Sequence, residues 1–547
     1  MIRGLFCLCL CFVSSASFAY GQDEDTSPRM SLRDFTEYHL PERDRSEAAR
    51  KRLASLRKGV RVMKSRKPSD PRSWFYQAAI HGVTNEQIIA AADRDPDVTK
   101  VQREMFWNRC PHHGEPSADF LVWHRAYLFY FERILRDAAD DPTLSLPYWD
   151  YTGGATSFPR AFSEQLRETG DIIPLNPLYS AEREGAFTGG RLALSAAITT
   201  QAYERIMAEK FLFGETEDTG LAGGVYDSDG GTMGLLERRP HNDLHVAIGG
   251  VIGNDHAGLM AEVTTAAFDP IFWVHHSNID RLFAKWNASP DREWGHYPEA
   301  AWFVERPWFF NDADGSIKNN PRHYYLTGKS LGVSYSGVDQ SATKLTDSLP
   351  YELQDTRALL ATLPKNFQVD PETGLATMEL APMCDCCRKK GVEATLSETS
   401  ATELSLNIVG SAEESRKLMS LKPLVKRPER TPQTILEVSF MAPEFLPTVG
   451  YEVFLAIKPS ETEEEAKVSV GNLSFFGLSA HHSGESKEGE AEAITQSFNI
   501  TKAIAKFNAQ GKEVKVVIKP YPLFEGGPVA KRSESEIDIT NLSIKVE

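Results

Sequence analysis

The chain has 547 residues and carries 60 Lys and Arg against 76 Asp and Glu, for a net charge of −16. That length accommodates two or three domains, and an apolar fraction of 41% is ordinary for a globular protein with a sizeable core. The acidity excludes a basic surface that tracks phosphates, so nucleic acid is not an expected partner.

Residues 1–19, MIRGLFCLCLCFVSSASFA, join Arg3 to an apolar run and then to small residues at Ser17 and Ala19. This is the layout of a secretory signal cleaved near Ala19, which predicts a secreted or periplasmic protein. The run is too short to span a bilayer and no later segment is apolar enough, so no membrane span is expected. Three of the seven cysteines, Cys7, Cys9 and Cys11, fall in this signal; the others are Cys110, Cys384, Cys386 and Cys387. So few in an exported chain of this size leave stability to the core rather than to disulfides.

A polar stretch runs to about Met30. From 31 to 335 the chain is rich in aromatics, holds nearly all the histidines, and shows helical apolar spacing in ARKRLASLRKGVRVMK and FLVWHRAYLFYFERILRDA. Long Gly/Pro-rich loops separate such runs, so the expectation is a mainly α catalytic domain with elaborate loops. From 336 to 400 the sequence turns polar, without sustained periodicity, and contains MCDCCRKK; it reads as a linker. From 401 to 547 come short β-rich runs, LSLNIV, TILEVSFM, YEVFLAIKP, KVSVGNLSFF, EVKVVIKPY and IDITNLSIKVE, which predict a β-sandwich-like C-terminal domain. FNITKAIAKFN, with Thr501 as N-cap, is its one expected helix.

Three histidine segments carry the chemistry. In PHNDLHVAIGG, His241 and His245 stand four apart and Pro240 suits a first helical turn, so both rings face one side and can grip one metal ion. In FDPIFWVHHSNIDRLFAKW, adjacent histidines cannot face one point on a helix, so one of His275 and His276 is the ligand; Asp280 would orient a ring or brace Arg281. In CPHHGEPSADFLVWHRAYLFYFERILR, His124 opens a helix with an apolar stripe of Tyr127, Leu128, Phe131 and Leu135, and His81 precedes it in WFYQAAIHG. Each segment alone also reads as a satisfied core or surface histidine. Together they give two clusters with no carboxylate where a third ligand is required. An all-imidazole set suits copper, zinc or iron rather than magnesium or calcium, and two three-histidine sites would form a dinuclear centre in a four-helix-bundle core.

At these residues the sequence resembles the tyrosinase, catechol oxidase and molluscan haemocyanin family. FLVWHRAYLFYFE with DDPTLSLPYWDY downstream, and PHNDLHVAIGG followed by AAFDPIFWVHHSNIDRLF, look like its two copper-binding signatures. The likeness runs from about His81 to Tyr335, as in bacterial-type members, and more faintly through a C-terminal domain similar to that of plant polyphenol oxidases. It implies two copper ions in a type 3 dinuclear centre, with a phenol and O2 as small-molecule partners. By position, the first copper falls to His81, a histidine of the CPHHG segment and His124, the second to His241, His245 and His276. His112 and His113 precede His124 by twelve and eleven residues, longer than the family's usual spacing. His112 is favoured because Cys110 stands to it as the cysteine that some members link to a ligand through a thioether. The resemblance also makes Glu237 the residue that positions a water, Asn242 its companion in monophenol hydroxylation, and Val263 the residue over the substrate entrance. It implies that the C-terminal domain keeps the enzyme latent, with Phe475 or Phe476 reaching the entrance, and that Cys384, Cys386 and Cys387 relay copper(I) or form a disulfide. The rival expectations are a catechol oxidase lacking hydroxylase activity, a haemocyanin-like O2 binder, and a zinc or iron protein using the same histidines.

Overall fold

Leu53, Leu56, Val60 and Met63 recur at helical spacing, and a computed structural model of the chain buries all four along one stripe of α1 (Glu47–Ser65). Its start is fixed by Ser46, whose hydroxyl accepts the Ala49 N–H. The structure describes residues 27–111, 118–164, 176–184, 193–214, 220–223, 233–252, 256–295, 302–303, 305–326 and 328–339, and after them 368–369, 376–377, 394–396, 402–407, 434–441, 446–457, 466–478, 493–506, 513–525 and 537–546. The expected signal at 1–19, His112, His113, Cys384, Cys386 and Cys387 lie outside the described residues.

Four more helices bring the histidines together: α2 (Trp74–His81), α3 (Asp119–Ala139), α4 (Asp243–Gly249) and α5 (Pro270–Asn287). Helix α3 begins at Asp119, so His124 sits in its second turn rather than opening it. Asp119 is held there by Arg322, whose Nη2 donates to it at 2.8 Å. Helices α3 and α5 pack through aromatics, with Phe131 lying flat on Trp273 at a centroid distance of 3.4 Å.

A buried ionic network ties the same two helices. Asp280 on α5 accepts Arg125 Nε of α3 at 2.6 Å and the Tyr335 hydroxyl at 2.6 Å. Arg29, from the segment before α1, donates Nε to Glu132 at 2.6 Å and approaches Asp280 at 3.4 Å. This corrects the expected role of Asp280, which meets neither Arg281 nor a histidine ring in these hydrogen bonds. A buried guanidinium needs a counter-charge, and Arg125 takes that carboxylate, while Arg281 pairs instead with Asp150 at 2.9 Å.

The C-terminal region is a β-sandwich of two antiparallel four-stranded sheets. Its strands are β1 (Ala394–Leu396), β2 (Thr402–Asn407), β3 (Thr434–Phe440), β4 (Val449–Ile457), β5 (Ala466–Leu473), β6 (Ile494–Asn499), β7 (Glu513–Pro522) and β8 (Ile537–Val546). One sheet runs β2-β7-β4-β5 and the other β6-β3-β8-β1. Strand β1 falls inside the stretch expected to be a linker, paired with Ile537–Ile539. Thr501 is the first residue of α6 (Thr501–Lys506) rather than its cap. Its hydroxyl serves the sheet instead, accepting the Thr434 N–H at 2.7 Å.

The sandwich seats on the helical region beside the second histidine motif. Arg238 donates to the carbonyls of Asn472 and Ser497 at 3.2 and 2.9 Å, and burial pushes its guanidinium down to about 10. Arg239 lies 3.8 Å over the Tyr521 ring, whose hydroxyl donates to Asp243 at 2.7 Å. Gly471 makes the seating feasible: its φ is +148°, and a Cβ there would come within 2.8 Å of Phe498 and 3.2 Å of Arg238 Nη1. Among the described residues no helix is long and apolar enough to cross a membrane.

Candidate metal centre

The second motif is bent before it is helical. Arg239 has φ −148° and ψ 122°, which breaks the preceding turn, and the helical run resumes at Pro240, where a missing N–H costs nothing. His241 and His245 then share one face, with ring centroids 4.5 Å apart. Helix α5 is started by Asp269, whose side chain accepts the Ile271 N–H, followed by Pro270. Two turns in, His276 Nε2 reaches 3.2 Å from both His241 Nε2 and His245 Nε2.

The outer ring nitrogens fix which atoms hold protons. His241 Nδ1 lies 2.8 Å from Asn242 Oδ1, and His245 Nδ1 lies 2.8 Å from the Met260 carbonyl. An oxygen of this kind only accepts, so each Nδ1 carries the hydrogen and each Nε2 presents a lone pair. His276 Nε2 lies 3.2 Å from both of these lone pairs in a buried cage, so three ring nitrogens converge on one point where a cation can be ligated. The donor set fits copper.

His275 stands beside them, with one ring nitrogen within 4.8 Å of those of His241, His245 and His276. Its Nδ1 lies 3.2 Å from the Tyr151 hydroxyl, and its ring stacks on His241 at 5.3 Å. Burial pushes its imidazole down to about 3, so it is neutral. Burial, and then the surrounding rings, likewise hold His276 well below the ordinary imidazole range.

The first cluster is assembled from separate elements. His81 ends α2 and is 1% exposed, with its Nδ1 at 2.8 Å from the Val263 carbonyl. His124 Nδ1 lies 2.8 Å from the Phe120 carbonyl one turn earlier in α3. Gly82 permits the first of these contacts, because a Cβ there would lie 2.5 Å from Thr264 Cα and 2.7 Å from Val263 O. Cys110 Sγ stands 3.5 Å from His124 Nε2, and the donor atoms of His81, Cys110 and His124 all lie within 4.8 Å of one another. The two clusters adjoin: His124 stacks on His276 at 4.4 Å, and the His81 ring is 6.2 Å from that of His276.

Around this cage, Glu237 and Asn242 are buried at 3% and 2% exposure, and Glu237 stabilises the charge of Arg238. Val263 is half-buried and offers its carbonyl to His81. The turn after β5 lies over the second cluster: Phe476 stacks on His245 at 4.0 Å with a 24° tilt and meets His241 edge-on at 5.7 Å. Phe475 points the other way, into the sandwich, against Phe440 and Tyr451. Ser474 accepts Asn242 Nδ2 at 2.8 Å. Sequence patterning does not single out this serine, nor the carbonyls of Phe120, Met260 and Val263, because a backbone oxygen leaves no mark in residue type. The Ser-Phe-Phe ending of a β-rich run is the one available hint.

Comparison with known proteins places this geometry. The common central domain of tyrosinase matches residues 71–205 and 195–289. A tyrosinase (HcTyr1) of Hahella sp. strain CCB-MM4 is 33% identical over 321 residues, covering 52% of this chain and 60% of that protein. The chloroplastic (+)-larreatricin hydroxylase of Larrea tridentata is 28% identical over 308 residues, or 52% of this chain and 47% of its own length. The chain thus spans about half the length of these curated relatives. In fold, the solved structure of latent apple tyrosinase superposes with a TM-score of 0.52 at 18% identity, covering 95% of this chain and 96% of that one. Residues 71–289, which include His81, His124, His241, His245 and His276, thus carry the common central domain of tyrosinase, and the chain is similar to tyrosinases and polyphenol oxidases, whose centre is a type 3 pair of copper ions.

Proposed function

We propose that this chain is a copper-dependent phenol oxidase that hydroxylates monophenols and oxidises o-diphenols to o-quinones with O2. One O2 would accept four electrons from two diphenols, giving two quinones and two waters; from one monophenol it would give one quinone and one water. The observation that carries this reading is the meeting of the His241, His245 and His276 Nε2 atoms at 3.2 Å, next to His81 and His124. In it, His241, His245 and His276 hold one copper, and His81, His124 and His112 hold the other. The copper pair supplies dioxygen binding and electron transfer.

The remaining steps fall to the chain's own side chains. The Phe272, Trp123 and Tyr127 rings around the cage keep water away from it. A monophenol must lose a proton of pKa about 10 before it can react readily. Glu237, buried four residues before His241, would hold the water that takes that proton, with Asn242 polarising it. Val263 would border the substrate entrance, and Cys110 would bond to His112 through a thioether. Phe476, lying on His245, would keep the full chain latent.

Metal analysis with turnover of tyramine and catechol, before and after trimming the C-terminal region, tests the proposal. Two coppers per chain, turnover of both substrates and a rise on trimming are expected. Glu237→Gln and Asn242→Gly should each cut tyramine hydroxylation by about 10²-fold, the lower range for a lost proton acceptor, with catechol oxidation spared in Glu237→Gln. Unchanged tyramine turnover in both variants sinks the assigned base. Copper with reversible O2 uptake and no turnover would favour an oxygen carrier.

A further inference from the structure

Resting on His241 as a copper ligand, we propose that Ser474 of the β-sandwich is a positioning residue for that histidine, acting through Asn242. The C-terminal region would then help to build the second copper site as well as cover it.

The chain of contacts is short and buried. Gln496 grips the Ser474 peptide from both sides: its Oε1 accepts the Ser474 N–H at 2.9 Å, and its Nε2 donates to the Ser474 carbonyl at 2.6 Å. The Ser474 hydroxyl accepts Asn242 Nδ2 at 2.8 Å, and Asn242 Oδ1 faces His241 Nδ1 at 2.8 Å. Ser474, Gln496, Asn242 and His241 are 2%, 7%, 2% and 0% exposed.

An asparagine amide has two orientations, and they are not equivalent here. With oxygen toward His241, the ring keeps its proton on Nδ1 and offers the Nε2 lone pair to a metal. With the NH2 group toward His241, Nδ1 becomes the acceptor and Nε2 carries the hydrogen, which blocks ligation. The metal-competent orientation sends Nδ2 outward, where it needs acceptors. Ser474 Oγ supplies one and Met233 Sδ, at 3.6 Å, a weaker one. Met233 sulfur can only accept, so it opposes the reversed amide, while Ser474 holds the amide at a fixed distance.

This contact is separate from the cover provided by Phe476. The phenyl ring lies on the face of His245, whereas the Ser474 hydroxyl meets the Asn242 amide. Removing the ring should open the entrance; removing the hydroxyl should loosen the ligand.

The test compares full-length wild type, Ser474→Ala, Ser474→Thr and Phe476→Ala after copper loading. Copper release to a chelator should be roughly three- to tenfold faster in Ser474→Ala, the range of one lost hydrogen bond. The copper-dependent rise in melting temperature should shrink in the same variant. Ser474→Thr, which keeps the hydroxyl, should restore both, and Phe476→Ala should change substrate access more than copper release. The metal-free melting temperature of Ser474→Ala reports any general loss of folding. Equal copper release from wild type and Ser474→Ala, or no rescue by threonine, overturns the role of Ser474. A wild-type chain that takes up no copper overturns the underlying ligand assignment instead.

Discussion

The two histidine clusters solve one problem in opposite ways. The second is local: His241 and His245 share a helical face, and His276 arrives from a single neighbouring helix. The first draws His81 from the end of α2, His124 from the second turn of α3 and Cys110 from a coil between them. His81, His124, His241 and His245 each give Nδ1 to an oxygen, yet only the second cluster borrows one of those partners from a side chain, Asn242, that is itself held by the C-terminal sandwich. Covering and ligand positioning thus converge on one cluster, while the other depends on backbone carbonyls of its own region. A centre built this way has one half set by the helical fold alone and one half open to adjustment by the sandwich.

Removing a central donor from each half is the sharpest way to break that comparison. His276→Ala and His124→Ala should each lower catechol oxidation by on the order of 10³-fold or more, the several kcal/mol that a metal contributes. If each half closes on its own donors, elemental analysis will find one copper retained per chain in either variant. Loss of both coppers from either one shows that the cage closes only as a unit, and the contrast between halves fails.

Much of this arrangement is written in residue type. Helices α1 and α3 announce themselves through apolar spacing, and six of the eight strands lie under the β-rich runs. His81, His124, His241, His245 and His276 all come to one cage. The two unannounced strands are instructive. Strand β1 has three residues, too few to establish alternation, and β6 (ITQSFN) is largely polar because it seats the glutamine that grips Ser474. The assignment of Asp280 went astray because periodicity gives a helical face but not the neighbour opposite it. Opposite Asp280, four residues beyond His276, lies Arg125 on α3, not a ring. Ser474 was illegible for a related reason: its role depends on a contact between two regions 232 positions apart.

Asp280 offers the next test, because it links the helices that carry the two halves. Asp280→Asn preserves shape but leaves Arg125 and Arg29 short of a counter-charge in a buried setting. Breaking such a pair costs about 3–5 kcal/mol, which should lower the melting temperature by roughly 10 °C in a domain of this size. If the network aligns both halves, the two coppers should leave the variant faster together. A melting temperature within about 1 °C of wild type would remove the network from the account of what holds α3 to α5.

The smallest expected effect concerns His275, the buried histidine of the second motif whose Nδ1 faces the Tyr151 hydroxyl. Its folded-state value, about 3, lies below the ordinary 6.5. Between those two pH values the unfolded chain binds a proton that the folded chain refuses, so stability falls as the pH drops below 6.5 and levels off below about 3. Above 6.5 the ring is neutral in both states and adds no pH dependence. At pH 5 the penalty from this one ring is about 2 kcal/mol. Melting curves of metal-free wild type and His275→Gln between pH 7.5 and 5 should therefore diverge, the wild type losing more on acidification. Parallel curves would mean that His275 takes its proton within the fold, and that the second cluster is less dry than its burial implies.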